Sequence, residues 1–194
     1  MPAIEMYLGH HGARGGHPAT GYGGSGPAMK VGLGLGSNLG DRLRHLQQAR
    51  AWLLSLSAEG WQIASPLYET EPVGCPPNSP KFFNAVLEIE FAGAPKTLLK
   101  KIAAYEVAHG RDRNLPKNAA RTIDIDMLYF GEKEILEKDL VVPHPRMAER
   151  RFVLLPLSTI RPDLVIKGTG KTVRMLLREL PAGDEQVKFV QQDW

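Results

Sequence analysis

The chain has 194 residues, of which 43% are hydrophobic and 23% are charged, as in an ordinary globular protein with room for one sizeable core. Its net charge of +3 is too small to indicate a nucleic-acid-binding protein by itself. The single cysteine, Cys75, excludes an internal disulfide. No apolar run is long enough to span a membrane, and no basic, hydrophobic leader begins the chain, so we expect a cytoplasmic protein without a membrane partner.

The first 29 residues differ from the rest of the chain. They are rich in glycine, contain His10, His11 and His17, and show no helical or strand periodicity. Such a segment cannot bury enough apolar surface to form a core. We therefore predict a disordered extension over 1–29 and a single domain over 30–194.

Hydrophobic periodicity predicts helices and strands in an irregular order. In chain order we first predict a strand over 30–36 broken into a glycine turn, and then a helix capped by Asn38 or Asp41. The side chains that this helix is expected to bury are Leu39, Leu43, Leu46, Leu53 and Leu56. Strands over 61–68 and 82–91, separated by a long loop over 70–80, come next, followed by a helix over 95–109. There follow a basic loop, a strand over 121–130, a short strand over 134–136, a loop over 141–146, helices over 151–160 and 172–180, and a strand over 187–190. This order indicates an α+β fold with a mainly antiparallel sheet and helices packed on it.

The strand over 121–130 carries an unusual pair of carboxylates. Its alternation predicts one face with Thr122, Asp124, Asp126 and Leu128, and an apolar face with Ile123, Ile125, Met127 and Tyr129. Aspartate is a poor strand former, and two carboxylates at i and i+2 repel each other unless a cation lies between them. Their α-carbons lie roughly 6.5–7 Å apart in a strand, so both can converge on one or two Mg²⁺ ions. An isolated pair of this kind would otherwise be read as a solvated strand face.

Basic residues surround this strand in the sequence. Those that precede it are Arg111, Arg113, Lys117 and Arg121, and those in the loop that follows are His144 and Arg150. Arginine binds phosphate through two parallel hydrogen bonds. Carboxylates for Mg²⁺ beside converging arginines therefore predict a phosphoryl-transfer site.

A second candidate site lies on the strand over 82–91. Phe82 and Asn84 share one face, where an aromatic ring can stack on a flat heterocycle and an amide can bind its edge. The glycine run at 32–40 does not have the spacing of a dinucleotide-binding fingerprint, and no Gly-Lys-Ser/Thr follows it. We interpret that run as a tight turn between a strand and a helix.

Ordered blocks over about residues 30–165 resemble one enzyme family. They are Gly-Ser-Asn-Leu-Gly-Asp at 36–41, Tyr-x-Thr-x-Pro-Val-Gly at 68–74 with Phe-Phe-Asn-Ala-Val at 82–86, Lys-x-Ala-Ala-Arg-Thr-Ile-Asp-Ile-Asp at 117–126, and Val-Pro-His-Pro-Arg-Met at 142–147 with Glu-Arg-Arg-Phe-Val-Leu at 149–154. Together they are similar to the 6-hydroxymethyl-7,8-dihydropterin pyrophosphokinases of folate biosynthesis.

The resemblance implies a ferredoxin-like α+β sandwich that transfers the pyrophosphoryl group of ATP to the hydroxymethyl oxygen of the dihydropterin and releases AMP. It implies two Mg²⁺ ions on Asp124 and Asp126, with Arg111 and Arg121 also catalytic. The implied ATP-binding residues are Glu106, Arg111, Arg113, Arg121, His144 and Arg150. The implied pterin-binding residues are Thr70, Val73, Phe82, Asn84 and Phe152, with the ring held between the two phenylalanines.

The sequence departs from the family pattern at two places. Asn118-Ala119-Ala120 stands where many members have Trp-Gly-Pro, so this loop lacks an indole that seals the site, and Phe82 stands where tyrosine is common. Two other classes stay open on the residues alone: a basic nucleic-acid-binding protein and a Mg²⁺-dependent phosphohydrolase. The family reading predicts a monomer whose partners are ATP and the pterin, without nucleic acid.

Overall fold

The computed structural model describes residues 26–112, 119–181 and 186–194. Residues 1–25 of the extension predicted over 1–29 lie outside the described residues. The same is true of Arg113, Lys117 and Asn118. The first strand begins at Met29, which pairs with Phe91, so the sheet starts one residue before the predicted domain boundary. In the described ranges, no helix is both long and apolar enough to cross a bilayer.

All four predicted helices are present, and most predicted strands are as well. The helices are α1 (Arg42–Leu56), α2 (Pro95–Ala108), α3 (Arg151–Ile160) and α4 (Val173–Glu179), with 3₁₀ turns at Ala58–Gly60 and Met147–Glu149. The strands are β1 (Met29–Ser37), β2 (Gln62–Ala64), β3 (Leu67–Thr70), β4 (Phe82–Phe91), β5 (Asp124–Phe130), β6 (Ile135–Glu137), β7 (Leu140–Val142), β8 (Val165–Ile166), β9 (Lys171–Thr172) and β10 (Val187–Gln191).

The main sheet is antiparallel and confirms the α+β prediction. Its order is β10-β3-β4-β1-β5, and β2 pairs with the second half of β4. The single strand predicted over 61–68 is wrong, because Pro66 has no N–H to donate to a ladder and separates β2 from β3. Ser65 bridges the gap: its N–H donates to the Val86 carbonyl at 2.8 Å, and its hydroxyl accepts from the Val86 N–H at 2.9 Å.

Helices cover both faces of the sheet, so the protein has two hydrophobic cores. The first lies under α1 and α2 and contains Leu33, Leu35, Leu46, Leu53, Leu87, Leu98 and Ile125. The second lies under α3 and α4 and contains Val86, Leu128, Tyr129, Leu154 and Val173. Leu39 was predicted to be buried, but it precedes α1 and is 45% exposed. Asp41 caps α1, since its carboxylate accepts from the Arg44 N–H at 3.1 Å.

The predicted break of β1 into a glycine turn is also wrong. Gly32, Gly34 and Gly36 lie within the strand, and their pairing partners run in register along β4. A Cβ at position 32 would overlap the ring of Tyr129. The turn comes later, at Gly40, whose φ of +66° is in the left-handed region. Gly32 therefore allows the Tyr129 ring to pack closely against β1.

An extra residue in β5 changes which side chains share a face. Gly32 pairs with Tyr129 and Leu33 with Met127, so Leu128 is the extra residue of a bulge. Tyr129 consequently joins the second core, which corrects the predicted alternation. Its hydroxyl donates to Glu88, which is 1% exposed and also accepts from the Arg161 guanidinium at 3.0 Å. This buried cluster anchors the C-terminal end of α3 to β4.

Candidate active site

An open pocket lies on the α3 face of the sheet. It brings together nine of the predicted site residues, which are Thr70, Val73, Phe82, Asn84, Arg121, Asp124, Asp126, Arg150 and Phe152. The remaining wall and floor include Gly34, Gly36, Glu71, Cys75, Leu128 and Val153. The two candidate sites found in the sequence are thus the two ends of one pocket.

The register of the sheet explains this meeting. Gly36 pairs with Asn84 on one side and with Asp124 on the other, so the three residues form one row across β4, β1 and β5. A Cβ at position 36 would lie 3.1 Å from the Asn84 side-chain oxygen and 3.6 Å from the Phe82 ring. The missing side chain of Gly36 therefore leaves open space between the amide and the carboxylates.

One end of the pocket suits a flat polar ring. The Asn84 amide donates to the Thr70 hydroxyl at 2.6 Å, and both residues are buried. This bond fixes the amide so that its oxygen faces the position above Gly36, where it can accept from a ligand N–H. Phe82 and Phe152 stand in the wall, and the Arg150 guanidinium lies 5.4 Å from the centre of the Phe152 ring.

The other end holds the carboxylate pair. Asp124 accepts from Arg121 at 2.8 Å and from Arg111 at 3.1 Å, whereas Asp126, within the part of the chain that the structure describes, pairs with Arg150 at 3.7 Å. Partial burial, and then the neighbouring Asp124 carboxylate, raise the pKa of Asp126. The pair is thus less than fully neutralised by the arginines.

The donors at this end fit Mg²⁺. Across the described residues there is no group of three or more His, Cys, Asp or Glu side chains that could enclose a metal. Asp124 and Asp126 offer only oxygen donors beside an open pocket. Magnesium is typically bound by one or two carboxylates together with water and substrate phosphates, so this set suits Mg²⁺ better than Zn²⁺.

Glu106 and Arg111 form a second row behind Asp124 and do not line the pocket wall. Glu106 is 5% exposed; its carboxylate accepts from the Ile125 N–H at 2.9 Å and pairs with Arg111 at 2.6 Å. Burial raises the pKa of Glu106 to about 7, although the Ile125 N–H and Arg111 oppose the shift. Glu106 therefore orients Arg111 and the backbone between the two aspartates, and its predicted contact with ATP stays a prediction.

His144 also stands outside the pocket wall, beside β5. The backbone N–H of His144 donates to the Leu128 carbonyl at 2.8 Å, and its ring Nδ1 accepts from the backbone N–H of Arg146 at 3.2 Å. Burial, followed by the charges of Arg150 and Arg146, lowers the pKa of His144 to about 4. The imidazole is therefore neutral at pH 7.

Sequence reasoning missed Asn38, which it treated only as a possible cap. Asn38 is 1% exposed, and its side-chain oxygen accepts from the Arg121 N–H at 2.8 Å. Its backbone N–H donates to the Arg121 carbonyl at 3.1 Å, and its side-chain amide donates to the Pro80 carbonyl at 3.2 Å. It fastens the segment that carries Arg121 to the end of the loop over 71–80. No local pattern signals such a role, because both partners are backbone groups distant in sequence.

An aromatic-walled pocket that continues into a carboxylate pair and several arginines is the arrangement expected of an enzyme that transfers phosphoryl groups to a ring-bearing acceptor. The sequence profile of the 7,8-dihydro-6-hydroxymethylpterin-pyrophosphokinase (HPPK) family matches residues 32–162. The chain belongs to this family.

Individual relatives agree with this assignment. The chain is 39% identical over 157 residues to the 2-amino-4-hydroxy-6-hydroxymethyldihydropteridine pyrophosphokinase of Methylorubrum extorquens, covering 80% of this chain and 97% of the relative. It is 34% identical over 148 residues to the Synechocystis protein of the same name, covering 76% and 74%. Its fold is similar to the crystal structure of Plasmodium falciparum HPPK-DHPS with SDX-DHP, with a TM-score of 0.62 and 18% identity; the match covers 78% of this chain but only 44% of that longer one.

Proposed function

We propose that the protein is a Mg²⁺-dependent diphosphokinase of folate biosynthesis, which transfers the pyrophosphoryl group of ATP to the hydroxymethyl oxygen of 6-hydroxymethyl-7,8-dihydropterin and releases AMP. Family membership and the names of the relatives support this reaction. The row formed by Asn84, Gly36 and Asp124 carries the structural argument, because it connects a site for a flat ring to a site for metal and phosphate without an intervening side chain.

The pterin is assigned to the end of the pocket near β3 and β4. There the fixed Asn84 amide oxygen accepts from a ring N–H, and Thr70 keeps that amide in place. Phe82 and Phe152 enclose the ring, and Val73 closes the rim. Burial between two aromatic side chains excludes water from the ring faces and leaves the edge to polar groups.

ATP is assigned to the end near β5. Asp124 and Asp126 would hold two Mg²⁺ ions there, which would neutralise charge on the phosphate oxygens. Arg121 and Arg111 both donate hydrogen bonds to Asp124 in the free protein. When Asp124 binds metal, these two guanidinium groups can bind phosphate instead. Arg113 belongs to the same proposed set, although it lies outside the described residues.

The residues of the pocket favour alignment over proton transfer by a dedicated base. No histidine of the described ranges lines the wall, and the backbone N–H of His144 bonds to the Leu128 carbonyl beside it. Holding the two substrates end to end converts the transfer into a unimolecular step, which is a large part of the rate gain in such reactions. We infer in-line attack of the pterin hydroxyl on the β-phosphorus.

The comparisons favour this reaction over the two other classes. They place the chain among pyrophosphokinases, and none supports a nucleic-acid-binding protein or a phosphohydrolase. We further propose a cytoplasmic monomer whose partners are small molecules and that does not bind nucleic acid.

Product analysis of a single turnover tests the proposal. With enzyme in excess over ATP, Mg²⁺ and pterin present, we expect AMP and a pterin diphosphate ester in equal amounts. A reaction without pterin is the control, and it should release no AMP. ADP as the main product would mean transfer of the γ-phosphoryl group and would contradict the proposal, whereas AMP without pterin would indicate a hydrolase. Omission of Mg²⁺, with a chelator added, should stop the reaction.

A further inference from the structure

The loop between β7 and α3 carries two arginines, and only one of them has a carboxylate partner. Arg146 and Arg150 flank the 3₁₀ turn Met147–Glu149 on its two sides. Arg150 lines the pocket and stands 3.7 Å from Asp126. Arg146 is exposed, and among the residues that the structure describes no carboxylate forms an ion pair with it.

Arg146 and Arg150 stand on the two sides of one short 3₁₀ turn, and their positive charges act on each other. Partial burial, and then Arg146, lower the pKa of Arg150; burial, and then Arg150 and Arg146, lower that of His144. The backbone fixes this crowding, since the Arg146 N–H donates to the His144 ring at 3.2 Å and the Arg150 N–H donates to the Met147 carbonyl at 3.4 Å. Like charges held together in this way are unfavourable unless an anion binds between them.

The position of the basic cluster formed by His144, Arg146 and Arg150 indicates which kind of anion would bind there. Arg150 extends from the cluster to Asp126, so an anion bound by both arginines lies beside the proposed metal site. A single small anion would be satisfied by Arg150 alone, whereas a polyphosphate has several oxygens to distribute. Arginine forks bind phosphate oxygens with geometry that a lysine cannot reproduce.

We propose that Arg146 is a further phosphate-binding residue of this active site and holds the polyphosphate of the nucleotide together with Arg150. The proposal rests on the proposed function, because it takes ATP as the ligand. The family resemblance implies nucleotide contacts for His144 and Arg150 in this loop and none for Arg146.

Affinity measurements on three variants test the proposal. Arg146→Met removes the charge and keeps the length of the side chain, Arg146→Lys keeps the charge, and Arg178→Met makes the same change of net charge on an exposed arginine of α4 that does not line the pocket. Titration calorimetry would measure binding of Mg-ATP and of inorganic triphosphate with Mg²⁺. We expect Arg146→Met to weaken both ligands by about ten- to hundredfold, Arg146→Lys to lose less, and Arg178→Met to change affinity by no more than about twofold.

Two results would overturn the assignment of Arg146. One is unchanged affinity for both ligands in Arg146→Met; the other is weaker ATP binding with unchanged triphosphate binding, which would place the contact at the base or ribose. Urea unfolding midpoints equal to that of the wild type would show that the variants are folded. If wild-type protein bound no Mg-ATP and released no AMP, the proposed function itself would fail. Normal AMP release by Arg146→Met with unaltered affinities would leave that function standing and reject only the role of Arg146.

Discussion

Asp124 and Asp126 look equivalent in the sequence but have different surroundings in the structure. Asp124 accepts hydrogen bonds from two arginines, whereas the one ion pair of Asp126 among the described residues is with Arg150, at the long distance of 3.7 Å. The raised pKa of Asp126 reports the same difference, because its carboxylate is partly buried beside a like charge. Asp126 therefore has more to gain from a bound cation.

We expect Asp126→Asn to abolish most of the activity while the fold persists. The amide keeps the shape of the carboxylate but supplies one weaker metal ligand, and loss of a metal contact worth several kcal/mol lowers kcat by about a hundredfold or more. The urea midpoint should stay the same or rise, since repulsion by Asp124 is relieved. Glu132→Gln, at a position that is 89% exposed, is the control. Near-normal turnover of Asp126→Asn with Mg²⁺ would show that the metal assignment is wrong.

His144 should titrate far below the range of an ordinary histidine. Its pKa of about 4 in the free protein follows from burial and from Arg150 and Arg146. Because the folded pKa is lowered, His144 contributes stability that is present above its unfolded pKa of about 6.5 and is lost as the pH falls toward 4. An NMR titration, with His144→Gln to assign the signal, should show this pKa and its rise when Mg-ATP brings negative charge nearby. A value near 6.5 in the free protein would contradict the described burial.

The Phe82 side chain should contribute to the affinity for the pterin and not to the affinity for Mg-ATP. We expect Phe82→Ala to weaken pterin binding by roughly tenfold or more, since stacking area is lost, and to leave Mg-ATP affinity nearly unchanged. Phe189→Ala is a matched control, because Phe189 is 55% exposed on the edge strand β10. Calorimetry with each ligand separately gives both constants. Equal losses for pterin and ATP would point to a role in packing.

At the scale of elements, close packing between β1 and β5 depends on Gly32. A Cβ there would overlap the Tyr129 ring, which is held in place by Glu88. We expect Gly32→Ala to destabilise the protein by about 1–3 kcal/mol through overpacking. Gly34→Ala is the control, because its Cβ would lie 3.5 Å from Leu128, an ordinary contact. Urea unfolding measures both, and a wild-type midpoint for Gly32→Ala would mean that the Tyr129 ring moves freely.

Local signals predicted the helices well and the strands less well. Pro95 at the start of α2 and Gly110, with its φ of +90°, just past its end are local features that the sequence states directly. The bulge at Leu128 has no such signal, because the residues around it alternate no differently from a regular strand. Its cause is tertiary: Tyr129 turns toward the buried Glu88 and Arg161, which lie far away in sequence.

At the scale of the whole molecule, we expect the domain to be independent of its first 28 residues. Their composition cannot form a core, and β1 begins at Met29. A protein of residues 29–194 should therefore keep the melting temperature and turnover of the full chain, as measured by calorimetry and AMP release. A truncation within β1, beginning at Val31, is the contrast, because it removes the pairing of Met29 with Phe91. A large drop in melting temperature for the first truncation would show that the segment packs on the domain.

Most of the pocket was predictable because its residues stand in short blocks whose chemistry is visible in each residue type. Its assembly was not, since the row of Asn84, Gly36 and Asp124 depends on strand order and register. Asn38 escaped for a related reason, because it acts through backbone partners that are distant in sequence. Such roles depend on long-range contacts that a single sequence does not encode locally.

The glycine floor of the pocket also bears on inhibition. At Gly36 a ring bound in the proposed position would meet peptide atoms and no side chain, so an inhibitor that rests there would contact a surface that substitution cannot easily reshape. Any side chain introduced at Gly36 would crowd Asn84 and Phe82, and so would also hinder a pterin bound in the proposed position. Resistance to such a compound would have to arise in the walls, at positions such as Val73 and Cys75, and compounds that avoid those walls should keep their potency longest.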